Sequence, residues 1–245
     1  MKITSVDVFD FAKCLQYEDC APICIRVNTD AGISGFGEVG LAYGNAHYAG
    51  VGIVRDFGQL IIGMDPLNSE KIREKLFRQT FWGMGGGTVI SSGLSAIDIA
   101  LWDIKGKYYQ VPVYQMLGGR TNEKLRAYAS QIQFDWDLED ACLSQPEEYA
   151  EAARKAISQG YTAVKVDPIG FSASGVWQRT VKSPEWRTMG QLPKNVLEMV
   201  RARLKAIRDA SDTLDIIIEL HAFTDTSTAI QLANYVDDLG IMYYE

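Results

Sequence analysis

Apolar and polar residues alternate over residues 3–11 and again over 21–28, the period of two half-buried antiparallel strands. Asp30 and Gly32 supply turn chemistry, and residues 32–38 read as a third, glycine-thick strand, so the three predict a meander. The spacing then becomes helical over 50–60 and 68–81, interrupted at Gly63, Met64, Asp65 and Pro66. Residues 82–88 break the pattern with four glycines. They lack both the lysine of a GxxxxGK(S/T) phosphate loop and a preceding hydrophobic strand, so they read as a plain loop. A helix over 92–107 carries Leu94, Ile97, Leu101 and Ile104 on one stripe, with Ile99 and Trp102 nearby.

Beyond residue 124 strands and helices alternate. Strands are predicted over 125–133, 161–168, 215–221 and 241–245, and helices over 146–159, 195–210 and 226–239, with a long insertion over 169–193. Such alternation predicts a parallel sheet with right-handed crossovers, following an α+β N-terminal part. The expected domains are 1–124 and 125–245.

Composition narrows the function classes. A net charge of -7 over 245 residues argues against a nucleic-acid binder that works through a basic face. The four cysteines, Cys14, Cys20, Cys24 and Cys142, are scattered and form no CxxC pair, as expected of reduced thiols. No signal peptide and no membrane-length apolar run is read, so a cytoplasmic protein with no membrane partner is expected.

The candidate chemistry lies at strand ends. The apolar run from Asp215 delivers Glu219 and His221 two residues apart, which in a strand places them on one face. Lys165 and Asp167 end the preceding strand in the same way, and Glu245 ends the next. In parallel α/β sheets and barrels, sites form at the carboxyl ends of neighbouring strands. The plain alternative is a set of solvated strand ends, and coincidence on three neighbouring strands weighs against it.

Four stretches carry a resemblance to a known family: GISGFGE at 32–38, SAIDIALWDIKGK at 95–107 with PVYQMLGG at 112–119, the Lys165-Val166-Asp167 triplet, and the final Tyr244-Glu245. The chain resembles the enolase superfamily, in its mandelate racemase and muconate lactonising enzyme branch, and is closest in motif to the acid-sugar dehydratases. The resemblance implies an enolase-like α/β fold. An α+β capping domain would precede a (β/α) barrel of which this chain holds only the first half. The closing strands, a third metal ligand and a later-strand base are expected to lie beyond it. A broken strand edge implies pairing with further chain or with another copy, and a homo-oligomer is the expected assembly.

By the same resemblance Glu219 and Glu245 would ligate Mg²⁺, and Lys165 would lie near the substrate carboxylate or the reacting carbon. Asp167 departs from the family pattern, which has a second lysine there. That puts racemisation, which needs a base on each face, in doubt. His221 resembles the third-strand histidine that protonates the leaving hydroxyl, so Lys165, Asp167 and His221 are the catalytic candidates. Tyr17, Tyr43, Asn45, His47 and Trp82 match capping-domain segments that face substrate. The implied activity is Mg²⁺-dependent dehydration of a sugar acid through an enediolate to a 2-keto-3-deoxy acid. The alternatives are a racemase, epimerase or cycloisomerase of the same superfamily, or a truncated non-catalytic homologue. The insertion, with Trp177, Arg179, Lys182, Trp186 and Arg187, would serve substrate or partner.

Overall fold

The computed structural model describes residues 1–12, 21–43, 46–136, 142–178 and 189–245. The chain forms two compact units, Met1–Glu123 and Lys124–Glu245. Tyr17, Asn45, Arg179, Lys182, Trp186 and Arg187 lie outside the described residues.

In the first unit β1 (Ile3–Asp10), β2 (Ile23–Thr29) and β3 (Ser34–Val39) form an antiparallel meander in that order. Ile23, Ile25 and Val27 of β2 are buried at every second position, the face that alternation predicts. Three helices follow: α1 (His47–Ile61), α2 (Ser69–Arg78) and α3 (Thr88–Tyr109). A fourth, short helix, α4, spans Val113–Met116. Ala96, Ile97, Ala100, Leu101 and Ile104 of α3 share one core with β2 and α1.

The glycines of β3 have a packing role that the sequence pattern did not disclose. A Cβ at Gly35 would stand 2.0 Å from the Ala100 carbonyl oxygen, and one at Gly37 would stand 2.0 Å from that of Ala96. Strand backbone therefore lies directly on helix backbone. Asp103 secures the contact by accepting the Phe36 N–H at 2.9 Å and the Lys107 ammonium at 2.7 Å.

In the second unit α5 (Pro146–Ser158), β4 (Ala163–Val166), α6 (Lys194–Ala210), β5 (Asp215–Ile218), α7 (Thr226–Tyr235) and β6 (Ile241–Tyr244) alternate. The strands form a parallel sheet in the order β4-β5-β6. Ile216 and Ile218 pack on Val200, Leu204 and Ile207 of α6 in a single core. Glu148 closes the N-terminus of α5 by accepting the backbone N–H groups of Ser144 and Gln145 at 2.7 and 2.8 Å.

Two sequence expectations need correction. Residues 125–133 form no named strand, only a parallel bridge between Ala129 and Val164. Leu125 is exposed, and Gln131 turns left-handed at φ 63°, which ends the extended run. The strand expected over 215–221 stops at Ile218, because His221 and Ala222 turn left-handed at φ 51° and 54°.

Candidate active site

The site is assembled where β4, β5 and β6 end. Backbone pairing continues past β5 and β6: the Glu219 N–H donates to the Val166 carbonyl at 2.9 Å, the Glu245 N–H to that of Ile218 at 2.8 Å, and the Leu220 N–H to that of Glu245 at 2.9 Å. Glu219 and Glu245 thereby stand side by side with Lys165 on the neighbouring strand. The Lys165 ammonium lies 2.9 Å from Glu219 Oε2 and 2.9 Å from Glu245 Oε1, and its charge sits 5.4 Å from the centre of the Tyr128 ring.

The electrostatics follow from that packing. Burial pulls the Lys165 amine toward its neutral form, but its hydrogen bonds to Glu245 and Glu219 outweigh burial and hold its pKa above the ordinary lysine value. Burial likewise pushes Glu219 up, and here Lys165 and the His221 N–H at 2.7 Å outweigh it, leaving the carboxyl below its ordinary value. Lys165 in this arrangement is a cation between two anions, not a free base.

The two carboxylates thus converge on one point occupied by positive charge. A divalent cation that takes hard oxygen donors and keeps several waters needs no more than one or two carboxylates from the protein. The donor chemistry of Glu219 and Glu245 fits such an ion, with the ammonium standing in for it. Among the described residues no group of three or more His, Cys, Asp or Glu side chains forms a fuller cage.

His221 is placed by its turn, not by the pleat of a strand. Its Nδ1 lies 3.2 Å from Oδ2 of Asp167, which is fully buried, and Asp167 Oδ1 accepts the Ile169 N–H at 3.2 Å. Its Nε2 meets the side-chain amide of Gln131 at 3.2 Å, and Gln131 is joined to Gln133 by a short hydrogen bond. His221, Ala222 and Gln131 hold left-handed backbones that cost non-glycine residues about 1–3 kcal/mol each. His221 and Ala222 follow β5, and Gln131 lies in the segment bridged to β4.

Lys165, Asp167, Glu219, His221 and Glu245 are therefore gathered in the second unit. Tyr43, His47 and Trp82 belong to the first. Tyr43 and Trp82 are exposed, and Trp82 meets Phe81 edge to face. His47 is buried at the start of α1: its Nδ1 donates to the Ala21 carbonyl at 2.9 Å and its Nε2 meets Asp10 at 2.7 Å, a tie between helix and strands.

Sequence reasoning missed Gln131, Gln133 and Arg203. The two glutamines carry the same signal as their neighbours, a polar pair two residues apart at the end of a predicted strand. Arg203 had none, because it lies on a helix stripe. It is fully buried, sits 5.1 Å over the Tyr149 ring, and donates to the Ser144 carbonyl before α5 and to the carbonyls of Pro168, Phe171 and Ser172 in the loop after Asp167.

Residues 17–118 match the N-terminal domain of mandelate racemase / muconate lactonizing enzyme, and residues 148–245 match the enolase C-terminal domain-like family. A solved Salmonella typhimurium protein described as a member of the enolase superfamily is 50% identical with a TM-score of 0.90, over 99% of this chain and 60% of its own. A D-gluconate/D-galactonate dehydratase of Picrophilus torridus is 25% identical, over 99% of this chain and 56% of its own length. A D-xylonate dehydratase of Haloferax volcanii is 29% identical, over 91% of this chain and 50% of its own length. The chain thus spans about half the length of these two curated relatives.

Proposed function

The chain belongs to the mandelate racemase/muconate lactonizing enzyme family of the enolase superfamily, and from that premise we propose that it contributes part of the active site of a sugar-acid dehydratase. The observation that carries this reading is the Asp167–His221 pair, 3.2 Å apart, beside the Glu219–Lys165–Glu245 cluster at adjacent strand ends. A proton-transfer group and a cation-holding group are what elimination of water next to a carboxylate requires.

Glu219 and Glu245 would hold Mg²⁺, and the ion when bound supplies positive charge to the oxygens that become negative as the proton beside the carboxylate leaves. Lys165, which pairs with both glutamates here, would present its ammonium to the substrate carboxylate when the ion is bound. Asp167 orients the His221 ring, which, once protonated, gives its proton to the departing hydroxyl so that it leaves as water. Racemisation is disfavoured by the pairing of Asp167 with His221, at the place where a second lysine would act on the opposite face. Tyr43 and Trp82, with Tyr17 and Asn45, are the proposed contacts to the polyol chain. The substrate class is a small acid sugar, in line with relatives named for gluconate, galactonate and xylonate dehydration.

The full-length protein, incubated with a panel of aldonates and aldarates with and without Mg²⁺, should release a 2-keto-3-deoxy acid from one of them. His221→Asn should abolish this turnover while Mg²⁺ binding, measured calorimetrically, persists. Full turnover by the variant would overturn the reading.

A further inference from the structure

His221 has two ring nitrogens, and which one carries hydrogen decides whether it meets a substrate as acceptor or donor. The polar atoms around it leave one solution. The backbone N–H of Asp167 points at the Gln133 side chain at 3.1 Å, and a backbone N–H only donates, so the Gln133 atom facing it is Oε1. The Gln133 Nε2 must then face Gln131, whose Oε1 accepts it. That turns the Gln131 Nε2–H₂ toward His221, at 3.2 Å from Nε2, and an amide nitrogen only donates. His221 Nε2 is therefore the acceptor, and Nδ1 carries the hydrogen and donates it to Asp167 Oδ2 at 3.2 Å.

The four bonds form a closed ring with one direction: Asp167 to Gln133 to Gln131 to His221 and back to Asp167. Gln133 is fully buried and Asp167 is too, so the anchoring bond of the ring is shielded from water. We propose that Gln133 and Gln131 are positioning residues that fix His221 as the Nδ1–H tautomer, with an Nε2 that carries no hydrogen and is held by the Gln131 amide. The role rests on the proposed dehydration only in what that nitrogen does next: it must part from the Gln131 amide and gain a proton before it can give one to a leaving hydroxyl. The left-handed backbone of Gln131 fits this role, because it turns the amide back toward His221 at a conformational cost the fold maintains.

The test reads the ring nitrogens directly. Nitrogen-15 spectra of the full-length protein, labelled at histidine and held near about pH 8, above the ordinary imidazole range, are assigned by the signals lost in His221→Asn. The wild type should show a bare Nε2 and a hydrogen-bearing Nδ1. Gln133→Glu keeps an acceptor for the Asp167 N–H but offers a second acceptor to Gln131, whose amide then rotates and presents Oε1 to His221. Gln131→Glu presents a carboxylate oxygen there directly. In both variants hydrogen-bearing Nε2 should rise about two- to tenfold, the worth of one hydrogen bond. A hydrogen on Nε2 in the wild type, or an Nε2 signal unmoved in both variants, would overturn the proposal. If far-UV circular dichroism shows one variant unfolded, the wild type and the other still decide. The spectra require no turnover, so the tautomer and the dehydratase reading fail separately.

Discussion

The ammonium of Lys165 stands 2.9 Å from Glu219 Oε2, with both side chains more than nine-tenths buried. A buried ion pair is costly to break from one side, because the remaining charge is left without a partner in a poorly solvated place. Lys165→Met should therefore destabilise the protein by on the order of 3 kcal/mol, read as a lower urea midpoint. The same variant leaves two carboxylates facing each other without a cation, so Mg²⁺ should raise its melting temperature more than it raises that of the wild type. An equal Mg²⁺ response in both proteins would remove the ion from between Glu219 and Glu245.

Arg203 presents five N–H groups and makes five hydrogen bonds, all of them to backbone carbonyls. Arg203→Met should cost about 3–5 kcal/mol, the range for removing one member of a buried charged network. Arg203→Lys should recover only part of this, since an ammonium has three donors and no fork. Equilibrium denaturation of the two variants would check the order.

Gly37 and Gly40 separate packing from propensity. A methyl group at Gly37 would overlap the Ala96 carbonyl, whereas one at Gly40 would meet nothing within 4 Å. Gly37→Ala should cost roughly 3 kcal/mol, at the upper end of overpacking, and Gly40→Ala should stay within about 0.5 kcal/mol of the wild type. Comparable losses at both positions would mean that β3 and α3 do not meet backbone to backbone.

Glu148 gives the acid limb a defined contributor. Its bond from the Gln145 N–H, helped by that from Ser144, lowers its pKa in the folded protein below 4.5. A depressed folded value means stability that is complete above the unfolded pKa and lost as pH falls through the folded one. The difference in unfolding free energy between pH 7 and pH 3 should therefore shrink in Glu148→Gln, whose amide keeps the cap but does not titrate. A wild-type pH profile retained in the variant would exclude Glu148 as a source of the acid loss.

The periodicity of the chain determined most of the architecture. Alternation fixed the meander because β2 is buried at every second residue, and helical spacing fixed α3 because Ala96, Ile97, Ala100, Leu101 and Ile104 share one core. These are local consequences of burying one face. Chain segments paired through a single bridge escape such a reading: residues 125–133 have a strand's composition but pair with β4 through one bridge, Ala129 to Val164. The strand-end pairs Lys165 and Asp167, and Glu219 and His221, were likewise legible as residues, but their partners were not.

The sequence by itself determined which ionisable groups the strand ends carry, since position in a βα repeat is a local property. Only the tertiary structure decided what each group does. Lys165 is drawn across two strands into a carboxylate pair, and His221 leaves its strand in a left-handed turn to meet Asp167 and Gln131. Hydrogen-bond direction is the reason: each ring nitrogen's role depends on whether a donor or an acceptor faces it, and the acceptor Asp167 and the donor Gln131 lie 54 and 90 residues away along the chain.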